Sequence, residues 1–225
     1  MKMLRQLFLA LGIFSALQNV RADETGPVLD AWFAAQAGVH TWSADFIQTR
    51  TLKALTRPLT ASGHITFAAP SDFRWELGRP EQTIALRHDD EMFVIYPRLK
   101  RAEKYPLGAG TPTEWRDTMS LLQAGFPRDR GEFEAQFQIL SLAQTNGVWR
   151  LALQPKSVFA RRMMPELDIG LATNDFSLAS TELVFVDGST MRNDFTNAVL
   201  NPPLDEKLFE WTPPADFKVT NPFAQ

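Results

Sequence analysis

Residues 59–80 constrain the fold more than any other stretch, because two short runs of alternating residues face each other across a proline turn. In Leu59 to Phe67, Gly63, Ile65 and Phe67 share one face, since successive side chains of a strand point to opposite sides. Pro70, Ser71 and Asp72 read as a turn. Phe73, Trp75 and Leu77 then share a face opposite Arg74 and Glu76, and Gly78 and Pro80 end the run. The prediction is a β-hairpin with one heavily aromatic side.

The same period recurs along the chain. Strands are expected over 42–52, 82–87, 91–96 and 100–105, separated by His88-Asp89-Asp90 and by Pro97-Arg98, which indicates an antiparallel meander. Phe133, Ala135, Phe137 and Ile139 alternate with polar residues, as do the runs containing Trp149, Leu151 and Leu153 and then Leu167, Ile169 and Leu171. Residues 184–195 read as a hairpin about Asp187-Gly188. Two segments have helical period instead. Gly26 and Pro27 can start a helix that places Leu29, Trp32, Phe33 and Ala37 on one face and stops at Gly38. Thr111, Pro112 and Glu114 form a capping-box start, followed by Trp115, Met119 and Leu122 at helical spacing until Gly125 and Pro127. Residues 92–96 and 183–186 are apolar on both faces and need cover on both sides.

At the N-terminus, Lys2 and Arg5 precede an apolar run from Leu7 to Leu17 and then Val20-Arg21-Ala22, the pattern of a secretory leader with cleavage before Asp23. The apolar run is too short to span a bilayer. Residues 1–22 are therefore expected to be a signal peptide and 23–225 one domain. The chain has no cysteine, so disulfides, thiol catalysis and thiolate metal sites are excluded. So is a lipid anchor, which needs a cysteine at the new N-terminus. The formal charge of -3 becomes more negative once Lys2, Arg5 and Arg21 are removed, which argues against nucleic acid and anionic lipid as electrostatic partners.

Catalytic patterns are missing from the sequence. His40, His64 and His88 are scattered, and no Gly-x-Ser-x-Gly elbow, P-loop or dinucleotide fingerprint is present. His88-Asp89-Asp90 reads as a solvated turn, Glu114 as a capping residue, and Lys100-Arg101 and Arg161-Arg162 as solvated faces. No cofactor is expected.

Several motifs in order resemble the periplasmic outer-membrane lipoprotein carriers, the LolA-like family. They are Phe46 with Gln48, then Pro70, Phe73, Trp75 and Pro80, then Tyr96-Pro97, and finally Asn197 with Phe209, Pro213 and Pro214. The resemblance covers nearly all of the chain after the leader. It implies a mainly β fold with some α, an incomplete, half-open antiparallel β-barrel whose concave side is covered by a helical lid. Read from composition alone, Trp32, Phe73, Trp75, Phe93 and Trp115 are the core that any sheet packed on helices requires. The resemblance gives them a second meaning: with Phe46, Ile65, Phe67, Leu77 and Met119 they would line a cavity for acyl chains, with Phe73 at its mouth and Trp75 deeper.

The resemblance further implies a soluble monomeric carrier that takes lipid or lipoprotein cargo from an ATP-driven inner-membrane transporter to an outer-membrane lipoprotein acceptor. A lipid-sensing or lipid-export accessory module with the same fold is the alternative, and a small secreted enzyme is a third. One departure stands out. The family carries a lid-latching arginine before the turn proline, where this chain has Ala69. Either Arg74, Arg87 or Arg50 replaces it, or the empty protein stays more open. The leader pattern predicts that N-terminal sequencing of protein from a periplasmic fraction starts near Asp23, and a chain retained in membranes with residues 1–22 intact contradicts it.

Overall fold

The computed structural model describes residues 18–19, 22–108, 111–112 and 124–222. Its frame is one sheet. In chain order the strands are β1 (Gln18–Asn19), β2 (Thr41–Thr51), β3 (Leu59–Ala68), β4 (Asp72–Leu77), β5 (Thr83–His88), β6 (Glu91–Tyr96), β7 (Arg101–Pro106), β8 (Phe137–Thr145), β9 (Val148–Pro155), β10 (Glu166–Ala172), β11 (Leu178–Val184), β12 (Thr190–Leu200) and β13 (Lys218–Thr220). Among the described residues these form a single thirteen-stranded sheet in the order β1-β8-β9-β10-β11-β12-β2-β3-β4-β5-β6-β7-β13. Two meanders are thus joined where β12 pairs with β2, and the outermost strands β1 and β13 do not pair with each other. Every neighbouring pair is antiparallel except β7 with β13. The half-open barrel inferred from the resemblance is the architecture observed.

Three helices accompany the sheet among the described residues: α1 (Ala22–Gln36), α2 (Arg130–Gln136) and α3 (Val158–Met163). Helix α1 starts earlier than Gly26-Pro27 suggested, with Pro27 inside it rather than at its start, where the helix forgoes the backbone hydrogen bond that an amide at residue 27 would donate one turn back. It buries Leu29 and Trp32 in the same core cluster as Trp42, Phe46 and Leu167. Trp32 meets Phe133 of α2 edge to face at 5.3 Å, and Asp30 pairs with Arg130.

Helix α2 replaces the strand expected from Phe133 onward. The Asp129 carboxylate caps it by accepting from the Glu132 amide at 2.8 Å, and Phe133 and Phe137, four residues apart, meet at 5.2 Å. A period of four satisfied both readings, and the cap decided between them. Alternation proper begins at Phe137. Helix α3, capped by Ser157, had no sequence expectation. The helix expected after Thr111 lies outside the described residues; the Thr111 hydroxyl itself donates to the carbonyls of Pro106 and Gly108.

Of the two segments apolar on both faces, residues 92–96 find cover on both sides, whereas in 183–186 Leu183 is buried and Val186 is 72% exposed. On the outer face of β5, β6 and β7, Leu86, Ile95 and Ala102 are buried, as is Phe209 from the C-terminal segment. That segment runs through a short 3-10 turn, Glu206–Phe209, capped by Asp205, which packs on β4 and β5. Arg74 and Glu76 also point to this side, paired at 2.6 Å. On the inner face, Trp42, Ala44, Phe46 and Gln48 of β2 are all buried, whereas Ile47 between them is exposed.

Gly63 is fixed by this inner packing. It is the register partner of Phe46, whose ring lies across it to reach Trp75, with centroids 4.1 Å apart. A Cβ on residue 63 would sit 2.1 Å from Phe46 Cζ and 2.4 Å from the Glu76 carbonyl oxygen. We expect Gly63→Ala to cost at least ~1–3 kcal/mol, the usual penalty of overpacking, read as a lower midpoint in denaturant melting. An unchanged midpoint would show that the β2–β3 seam is slack.

Candidate functional site

An apolar cavity of about 260 Å³ lies on the inner face of the sheet, lined from both meanders. One wall is Ile65, Phe67, Phe73 and Trp75 of the opening hairpin with Ala85 and Met92. The other is Leu167, Ile169, Leu178, Leu183, Met191 and Phe195. The register explains this convergence, since Ile65 stands opposite Trp75 and Phe67 opposite Phe73, so the aromatic side of the hairpin turns inward as a unit.

Polar side chains enter the wall at one place and satisfy one another. Gln48, Asn193 and Thr181 occupy paired positions on β2, β12 and β11. Gln48 Nε2 donates to Asn193 Oδ1 at 3.1 Å, and Asn193 Nδ2 donates to Thr181 Oγ1 at 3.1 Å. A buried amide without such partners would cost roughly 1–3 kcal/mol. Paired, the ladder ties three strands while the remaining wall stays apolar.

Phe126 closes the cavity. Its ring stacks on Phe67 at 4.5 Å and 11° and leans on Trp42 at 5.0 Å. Ala124 and Gly125 from the same segment also line the cavity.

The residues expected from the sequence divide into groups. Ile65, Phe67, Phe73 and Trp75 line the cavity. Phe46 and Trp32 are buried behind the wall, and Leu77 is half-buried beyond the cavity's end. Phe93 faces the other way. Its neighbour Met92 lines the cavity, so strand alternation sends Phe93 to the outer side, where it packs against Trp211 at 5.2 Å. Trp115 and Met119 lie outside the described residues. Phe73, expected at the cavity mouth, is only 9% exposed, whereas Trp75 is half-buried; Phe73 lies at the Phe67 end of the hairpin. The whole second wall was missed. Its alternation was legible, but which strands would close around the hairpin was not.

Of the candidate latches, Arg74 is held on the outer face by Glu76 and the Leu208 carbonyl, Arg50 is exposed at the end of β2 with Met191 as its register partner, and Arg87 lines a cavity on the inner side.

A Ser-His-Asp constellation also occurs, on the outer face of β2 and β3. Ser43 Oγ is 3.0 Å from His64 Nε2, and His64 Nδ1 is 2.9 Å from Asp45 Oδ1. Asp45 is shared: Asn197, in the left-handed region at φ 53 beside a bulge in β12, donates to it at 3.0 Å, and Arg79 approaches to 3.3 Å. The hydrogen bonds from Asn197 first and His64 second hold its carboxyl below the usual range. These residues form a polar ladder on an open strand surface and line no part of the cavity, whereas a serine nucleophile requires preorganised oxyanion donors in a water-excluded site.

An inward-facing apolar cavity on a half-open sheet, closed by residues 124–126, is what a carrier of hydrophobic cargo requires, and the sequence comparison is decisive. Residues 37–212 match the family described as outer membrane lipoprotein carrier protein LolA. The chain belongs to this family. It is 28% identical over 222 residues to an outer-membrane lipoprotein carrier protein of Pseudoalteromonas translucida, covering 97% of each chain. It is 24% identical to the corresponding protein of Bordetella avium, covering 81% of this chain and 82% of that one. In fold it is similar to the crystal structure of an uncharacterized conserved protein from Thermus thermophilus, with a TM-score of 0.51, 10% identity and coverage of 88% and 99%. The LolA family is one of carriers rather than enzymes.

The LolA-family cavity predicts separable effects. Met191 is a half-buried lining residue on a flexible side chain, so Met191→Glu places a charge in the apolar wall that can still reach water. It should weaken binding of a hydrophobic dye by about tenfold or more with little change in melting temperature. Phe73→Ala removes a buried ring and should instead cost ~3–5 kcal/mol of stability.

Proposed function

We propose that this LolA-family protein is a soluble periplasmic carrier that shields the acyl chains of lipoproteins between the inner and outer membranes. The observation that carries the reading is the cavity itself, apolar on both walls, with its polar ladder internally satisfied and two methionines, Met92 and Met191, able to re-pack around flexible chains. At about 0.8 kcal/mol per CH₂, a chain of about fifteen methylenes costs roughly 12 kcal/mol to expose to water. That cost demands a cavity which covers the chain and then releases it.

The cavity must also widen. Its 260 Å³ lies below the ~300–1,000 Å³ of ordinary small-ligand pockets, and a lipoprotein brings more than one chain. Phe126 is the part to move, because its ring lies tilted on Trp42 and stacked on Phe67. Such contacts, worth ~0.5–1.5 kcal/mol each beyond burial, can be exchanged for contacts with acyl chains. No helix among the described residues is long and apolar enough to cross a membrane. In this reading the protein acts as a monomer, receives cargo from an ATP-driven transporter of the inner membrane and delivers it to a lipoprotein acceptor of the outer membrane.

Purified protein added to spheroplasts should release acylated lipoproteins into the supernatant as a one-to-one soluble complex, identified by mass spectrometry of both polypeptide and acyl chains. Phe126→Ala should hold more hydrophobic dye than the parent when empty. Failure to solubilise any lipoprotein, with the protein folded, would exclude lipoproteins as the cargo.

A further inference from the structure

Next to the acyl cavity, and sharing Ala124 and Phe126 with it, is a second cavity of about 240 Å³ of opposite chemistry. Arg87, Arg128, Glu132, Gln136 and Ser71 bring polar groups to its wall. Arg87 comes from β5, where its register partners are Phe73 and Met92, both part of the acyl cavity. The guanidinium therefore stands at the boundary between the two spaces.

Arg87 is under-satisfied. Its Nε is buried with no hydrogen-bond partner. Desolvation pushes its pKa below the ordinary arginine value, and the nearby positive charge of Arg128 acts in the same direction, against Asp72 and Asp90. Asp72 is engaged elsewhere, 2.9 Å from His88 Nδ1 and accepting from the Asp89 amide. Arg128 is exposed and, among the described residues, neither arginine makes an ion pair within 4 Å. Glu132 is the one carboxylate of the wall, and Gln136 Nε2 approaches it at 3.5 Å. The wall itself holds two arginines and one carboxylate, with Asp72 and Asp90 acting on Arg87 from outside it, around a space large enough for a small anion.

A buried donor of this kind costs free energy until an acceptor arrives. Guanidinium groups meet phosphate oxygens through paired, charge-assisted hydrogen bonds, and a phosphate can engage two of them at once. We propose that the Arg87–Arg128 cavity binds the phosphate of a lipid head group whose acyl chains occupy the adjoining apolar cavity. The proposal rests on the carrier reading and extends it, because it makes phosphate-bearing lipid a cargo beside lipoprotein.

The test uses the full chain after its leader, with binding followed by tryptophan fluorescence. The probes are short-chain phosphatidic acid, the diacylglycerol with the same chains, glycerol phosphate and inorganic phosphate. Phosphatidic acid should bind at least about tenfold more tightly than diacylglycerol, as expected for even one charged hydrogen bond to the phosphate. Arg87→Gln with Arg128→Gln should bring the ratio close to one. Arg128→Gln alone, at an exposed position, should lower the ratio even where the buried Arg87 substitution impairs folding. Equal binding of both lipids by the parent, or a preference that survives the double substitution, overturns the head-group site while leaving the carrier intact. Inorganic phosphate binding as tightly as phosphatidic acid overturns the link to lipid. Binding of neither lipid overturns both readings.

Discussion

A single layer of sheet with large apolar side chains on both faces is unstable in water, and this chain is built around that difficulty. Each large apolar side chain left uncovered forgoes ~1.5–3 kcal/mol. On the outer side of β5, β6 and β7 the cover is the C-terminal segment, which brings Phe209 over the sheet and Trp211 against Phe93. On the inner side it is α1, α2 and residues 124–126. The two covers differ in kind. The outer one is held by paired backbone, since β13 joins β7, and the inner one near Phe126 by ring contacts.

The seam through Phe195, Phe46, Gly63 and Trp75 decides where the inner face is solid and where it is hollow. Phe46 fills the space that a side chain on Gly63 would need and backs Trp75, while Phe195 of β12 approaches both at 6.2 and 6.3 Å. This block locks the junction of the two meanders. Beyond it, side chains from opposite walls face each other without filling the gap. Polar groups at the junction, Gln48, Asn193 and Thr181, are paired within the sheet, so the gap is apolar without any orphaned amide.

Such a cavity suits cargo that must be released. Apolar contacts are non-directional and roughly proportional to area, so an acyl chain can slide out progressively with no single strong bond to break. The Arg87 and Arg128 cavity adds a directional element beside it, which would discriminate among amphiphiles by head group while leaving the chain-binding wall unchanged.

Much of this architecture was legible in the residues. Period-two alternation located most strands, the glycine and proline punctuation located the opening hairpin, and its shared aromatic side at Ile65, Phe67, Phe73 and Trp75 followed from strand geometry, while the family resemblance supplied its inward direction. Where local periods were ambiguous the reading failed: Phe133 and Phe137 fit both a strand and a helix, and the Asp129 cap selected the helix. Apolar residues on both faces of residues 92–96 announced two covers but not which face each would serve, so Phe93 was assigned to the cavity although it packs under the C-terminal segment. The second wall and the Gln48 ladder depend on pairing between strands far apart in sequence. Alternation within a strand is set locally by backbone geometry, so the sequence by itself determined it. Which strands become neighbours, and therefore which space is left unfilled between them, is set by long-range packing that only the tertiary structure decided.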